Sequence, residues 1–401
     1  MLKLTVLSAL VLLCACTPQA LPGRGPFAPA MLDLAQSGAV VRSFRLPAVN
    51  PPGGAQADAL ADFHGGVWVL TFDYKNGLTI RSYLTHVSAA GKSETYRIPS
   101  DIAFASSIAI GPNGEVYFPG ENGHAIGGLI DGRFRRYTTP SKYPAPTWVF
   151  SASDGAFFTQ YNGRPHGAIG KIQTSGRMVQ YPLPGGHGLY PAFLQDDGDG
   201  GVWFVATGIY NCVNCPTWIG HAHKGGTLDR YWFKLPAPGS VHNVVLANGT
   251  YWFGANDAGK AGVGYVGANR ARHTYVLSRE PLAAAFPLGM LGGKLWSFTT
   301  SPFALWSSAG DTRPQRLRVR YPVNPLQTGY TVPAIGKRYL WLVEANGGTG
   351  AAAFAYRYDP ATGNFRSAYL SQQIARVPTA VDSGNTLWFV SGQHLWSVAF
   401  P

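Results

Sequence analysis

Acid is scarce in this chain and charge is thin: Asp and Glu number 20 against 32 Lys and Arg, and charged residues make up 13% of 401 positions. Segments of helical period are nearly missing, while Gly (50), Pro (30) and aromatic residues (13%) are plentiful. Helical solenoids are thereby excluded, and short strands joined by many turns are expected. Beyond the N-terminal leader no run of about eighteen apolar residues occurs, so no further helical span is expected. Four cysteines are too few for a disulfide-built scaffold. Gly-x-Ser-x-Gly, phosphate-loop and zinc-protease signatures do not occur.

The leader is distinctive. Lys3 precedes an apolar run from Leu4 to Leu13, too short to cross a bilayer and shaped like the core of a signal peptide. It ends in Leu13-Cys14-Ala15-Cys16, which resembles the bacterial lipobox. The resemblance implies cleavage after residue 15, lipidation of Cys16 and, with Thr17 next, an outer-membrane destination. The expected organisation is a signal peptide at 1–15, a lipidated cysteine and flexible Pro/Gly/Ala tether at 16–30, and one domain at 31–401. The membrane partner is then the anchor alone. In an oxidising compartment Cys212 and Cys215 are expected to form a disulfide, with half a zinc site or a redox pair as the other readings.

A repeat decides the fold. Gly, one or two residues, an aliphatic or aromatic residue and then an aromatic recur around Trp68, Tyr117, Phe157, Trp203, Trp252, Trp296, Trp341 and Trp388, spaced 40 to 49 residues apart. A period in the mid-forties filled with short strands matches one four-stranded propeller blade. The expected fold is therefore all-β: a single propeller of eight blades, with seven as the alternative if one motif is an insertion. The recurring aromatics are expected to be blade core rather than a stacking platform.

Outer strands recur as SETYRIP, FRRYTTP, MVQYPLP, RYWFKLP, HTYVLSREP and RLRVRYP. Cations and proline suit an exposed sheet edge, where they block pairing with other chains. The formal charge of +12 is thus spread over edges, and no nucleic-acid partner is expected. The last repeat is one strand short. The orphan strand VVRSFRLP at Val40–Pro47 is expected to complete it and close the ring; the protein is expected to be a monomer.

The stretch AIGKIQTSGRMVQYPLPGG from Ala168, between DGAFFTQ and DGGVWFV, resembles the repeat of the streptogramin (virginiamycin B) lyase family. That resemblance implies a propeller, and an activity that opens a cyclic depsipeptide by elimination with a divalent metal and a histidine base near a glutamate. His242 and Glu344 are the residues on which the family's histidine and glutamate fall. They are the candidate catalytic and metal-binding pair, with Mg²⁺ or another divalent cation as the implied cofactor. For His242 the other reading is a hydrogen-bonded histidine lining a wet channel, and for Glu344 a carboxylate bonded at a strand end.

Loops between second and third strands share one rim with the loops entering each inner strand, the usual ligand face of a propeller. Tyr161, Arg164, His166, Tyr210, Asn243, Asn256, Asp257 and Asn346 are the candidate ligand-binding groups there. Two functions are expected to compete: a binding module for a protein, peptide or glycan, and a metal-dependent lyase. Away from that rim, His221-Ala222-His223 puts two imidazoles on one face of a strand, readable as a chelating pair or as packing.

Overall fold

The computed structural model describes residues 38–47 and most of 56–401; the longer stretches outside it are 1–37, 48–55, 103–106, 121–123, 141–145, 161–166, 184–188, 209–216, 234–239, 267–271, 318–330 and 346–352. The described chain forms eight four-stranded antiparallel sheets. Seven use consecutive strands: blade 1 within 56–97, blade 2 within 109–138, blade 3 within 146–182, blade 4 within 189–233, blade 5 within 240–278, blade 6 within 285–316 and blade 7 within 331–369. Among the described residues the helical structure is one 3₁₀ turn, Ser100–Ile102.

Blade 8 is assembled from both ends of the described chain. Ala380–Ser383, Thr386–Ser391 and His394–Ala399 provide three strands, and Val40–Arg45 pairs against the last of them, from Val40 opposite Ala399 to Arg45 opposite His394. Phe44 then packs over Trp388 with ring centroids 5.8 Å apart. The eight-blade count and the ring closure follow the sequence expectation. In the third repeat the four strands are Pro146–Ala152, Gly155–Gln160, Ala168–Gln173 and Met178–Pro182, one blade as the repeat period requires.

The core is not central. It is divided into eight apolar clusters, each lying between two successive blades, and the one joining blades 8 and 1 unites Leu46, Val67, Val69, Trp388 and Leu395. The repeating aromatic of each second strand faces the seam with the following blade. Tyr117, Phe157, Trp252, Trp296, Trp341 and Trp388 are buried, and Trp68 and Trp203 are half-buried. Each such side chain contributes roughly 1.5–3 kcal/mol by leaving water.

One residue further along, a second aromatic points to the opposite face, as strand alternation demands. Phe118, Phe158, Phe204 and Phe253 stand in register with Gly127, Gly170, Gly220 and Gly264 on the third strand. A β-carbon on Gly170 would come within 2.0 Å of the Phe158 ring, and one on Gly127 within 2.1 Å of Phe118. Glycine at these third-strand positions is therefore a steric requirement: the ring lies flat against the neighbouring backbone.

Candidate functional site

Antiparallel order fixes two rims. The turns between first and second and between third and fourth strands emerge at one, and the connections between second and third strands and between blades emerge at the other. Glu344 ends the second strand of blade 7, Leu340–Glu344, and His242 lies near the start of the inner strand of blade 5, Ser240–Ala247, so both belong to the second rim. Blade 6 stands between them. The ring order is given by the shared cores of blades 5 with 6 and 6 with 7.

Glu344 shares its strand face with Leu340 and Leu342, which pack in the seam between blades 6 and 7. It is 1% exposed, and the Tyr356 hydroxyl donates to its Oε2 at 2.9 Å. Burial, helped by the neighbouring carboxylate, pushes the Tyr356 hydroxyl well above the usual phenol range. Gln160 holds the corresponding strand end in blade 3, equally buried, where its Oε1 accepts from Gln180 Nε2 at 2.6 Å. Mg²⁺ keeps several waters and an octahedral oxygen shell. A seam-buried carboxylate engaged by a phenol, one blade removed from the histidine, does not fit that requirement.

The backbone gathers His242, Asn243, Asn256 and Asp257 at one corner of blade 5, with Ser240 opposite Asn256 and His242 opposite Gly254. A register shift between His242 and Val244 makes Asn243 the extra residue of a bulge. The inner strands of blades 3, 4 and 6 carry such shifts too, at Pro146/Val149, Ala192/Gln195 and Pro287/Gly289. Bulges re-aim side chains and bend strands at functional rims. Tyr161, Arg164, His166, Tyr210 and Asn346, like Cys16, Cys212 and Cys215, lie outside the described residues.

The opposite rim holds groups that the repeat motif conceals. In blade 1, His86 stands in register with Trp68 and packs on it at 4.7 Å, while its Nε2 meets Asp62 Oδ2 at 2.7 Å. Asp62 Oδ1 also accepts the N–H groups of His64 and Gly66, tying the turn between the first two strands. Blade 4 repeats the device with Trp203, His221 and Asp197: the rings stack at 4.2 Å, the His221–Asp197 contact is 2.9 Å, and Asp197 Oδ1 accepts from Asp199 and Gly201. Blade 3 substitutes Lys171, which lies over Phe157 at 4.9 Å and pairs with Asp154 at 2.6 Å.

Burial pulls the His221 imidazole below its ordinary value despite the Asp197 bond. Burial also raises the Asp197 carboxyl, but the bonds from His221, Asp199 and Gly201 outweigh it and hold it low. The spacing signal was present in the sequence: Asp-x-x-Gly-Gly-Val-Trp at 62–68 and 197–203, with histidine eighteen residues after each tryptophan. Asp58, half-buried on the inner strand of blade 1, was not legible that way. Its Oδ2 accepts the Ile108 N–H of blade 2 at 3.1 Å, and burial pushes its carboxyl up to about 6.

Comparison with known proteins fits this architecture. The virginiamycin B lyase family model matches residues 76–262, a stretch reaching from blade 1 into blade 5. The crystal structure of virginiamycin B lyase from Staphylococcus aureus is similar at a TM-score of 0.52 and 18% identity, covering 90% of this chain and all of that one. The chain is a β-propeller whose residues 76–262 are similar to the virginiamycin B lyase family. The virginiamycin B lyase of Nocardia farcinica (strain IFM 10152) is 26% identical to this propeller over 121 residues, 29% of this chain and 40% of that relative's length. A prolyl endopeptidase structure reaches the same TM-score at 11% identity over 83% of this propeller and 54% of that chain, so likeness at this level carries the fold alone.

Proposed function

We propose that this streptogramin lyase-like propeller is an outer-membrane-anchored binding module. It is held by a lipid on Cys16 and takes a protein, peptide or glycan ligand on the rim formed by the second-to-third-strand and inter-blade connections. The observation that carries the binding reading over the lyase reading is the Tyr356–Glu344 hydrogen bond inside the seam of blades 6 and 7. The carboxylate on which the family's glutamate falls is engaged in packing. The bulges near the rim end of the inner strands of blades 3 and 5 favour a built rim, since such irregularities recur where side chains are re-aimed at a ligand.

The test is capture from envelope extract with the purified full chain. A specific partner that is lost on Arg164→Ala with His166→Ala, while folding is unchanged, supports the reading. Capture indifferent to those substitutions sinks it. Anchoring is tested by palmitate labelling, which Cys16→Ser should abolish while releasing the protein from the membrane fraction.

The lyase reading rests on the match to the virginiamycin B lyase family and keeps His242 and Glu344 as its pair. Metal-dependent linearisation of a cyclic depsipeptide by the full chain, lost in His242→Ala, would establish it and displace the binding reading.

A further inference from the structure

We infer that His221, His223 and Asp229 form a binding site for one borderline divalent metal ion, Zn²⁺ or a close analogue. The site lies at the seam of blades 4 and 5, on the rim opposite the proposed ligand face. His221 and His223 are two residues apart and so project from the same face, with ring centroids 4.1 Å apart. Asp229 stands in register with His221 on the adjoining strand, which brings its carboxylate to that same face. One ligand atom from each of the three lies within 4.8 Å of the others, and His223 Nε2 already meets Asp229 Oδ2 at 2.9 Å.

The local fold holds His221 with little freedom. Asp197 engages His221 Nε2 and is itself held by two backbone N–H groups, leaving Nδ1 as the nitrogen open to a metal. A carboxylate that orients a ligating imidazole through its other nitrogen is the usual outer partner of a protein metal site. His223 begins a tight turn in which Gly226 N–H donates to its carbonyl at 2.8 Å. Its side chain, 41% exposed, has room to rotate the short distance that a metal–nitrogen bond of about 2.0–2.1 Å requires.

Blade 1 supplies an internal control. There the same tryptophan–histidine–aspartate arrangement exists with one histidine: Ser88 occupies the place of His223, and Glu94, opposite His86, is engaged by Lys92 and Tyr96. Holding the turn therefore needs only one imidazole. His223 and Asp229 add two donors to it in blade 4. Two imidazoles and one carboxylate select Zn²⁺, Co²⁺ or Ni²⁺ over Mg²⁺ and Ca²⁺, which prefer all-oxygen shells. Three protein ligands leave a fourth position for water or an outside donor.

The experiment uses the full chain without a polyhistidine tag, thiols alkylated and metal stripped, titrated with Zn²⁺ by calorimetry and with Co²⁺ by visible absorption. One equivalent should bind, with Co²⁺ giving d–d bands. His223→Ala and Asp229→Asn should each weaken Zn²⁺ at least tenfold while circular dichroism stays unchanged. Glu94→Gln, at the matching place in blade 1, should leave affinity as it is. Failure to bind one equivalent, or affinity insensitive to both blade-4 substitutions, overturns the assignment; equal weakening by Glu94→Gln does so as well.

Discussion

The Tyr356 hydroxyl and the Glu344 carboxylate meet at 2.9 Å across neighbouring strands of blade 7, both enclosed by the seam with blade 6. A buried carboxylate depends on its donors, because an unmet charge in an apolar surround is far costlier than an unmet charge in water. Removing the donor by Tyr356→Phe is expected to cost about 1–3 kcal/mol in urea unfolding. In a Glu344→Gln background, with no charge to stabilise, the same change should cost less. Equal costs in the two backgrounds would show that the phenol does not serve the carboxylate.

Gly170 is expected to tolerate no side chain. Its β-carbon would fall within 2.0 Å of the Phe158 ring, and neither the strand nor the packed ring has space to give. Gly170→Ala should destabilise by about 1–3 kcal/mol or more, the cost of overpacking a close-packed core. Phe158→Leu with Gly170→Ala should recover part of that loss, measurable as coupling in a double-mutant cycle.

Asp58 gives stability a pH dependence of unusual sign for a carboxylate. Its folded carboxyl keeps the proton up to about 6, whereas the ordinary value is 3.8. Between those values the native state binds more proton than the unfolded state, so this group's contribution falls as pH rises. Asp58→Asn, which cannot ionise, should gain stability relative to the parent as pH goes from about 4 to about 6 and hold that gain above. A difference that stays flat across urea melts at these pH values would remove the assignment.

Ring closure is expected to depend on Val40–Arg45. Phe44→Ala, which removes the ring packed on Trp388, should cost about 1–3 kcal/mol, below the full price of a buried phenylalanine because Phe44 is only half-buried. Deleting residues through 47 should do more: it bares the edge of His394–Ala399 and invites edge-to-edge association, visible in light scattering on warming.

The propeller was legible in the residues because its cause is local and repeated. Glycine and aromatic positions recur at the blade period, and alternation along each strand fixes which face meets the next blade. The orphan strand at Val40 could be matched to the incomplete last blade by counting strands. The Asp–Trp–His device was written in the sequence as well, as one spacing used twice, at Asp62, Trp68 and His86 and again at Asp197, Trp203 and His221.

Spacing along the chain could not decide what lies across a seam or a strand pair. Glu344 sits at the strand end where the resemblance puts a catalytic carboxylate, yet which face it takes depends on the alternation set by Leu340 and Leu342, and its partner Tyr356 comes from another strand. Asp58 accepts a hydrogen bond from a backbone N–H of the chain leading into another blade. Asp229 joins His221 and His223 only because antiparallel register sets it opposite the first of them. The sequence by itself determined the architecture, through periodic burial; tertiary pairing alone decided which polar groups face one another, because hydrogen bonds and metal ligation are fixed by distances of a few ångströms in space.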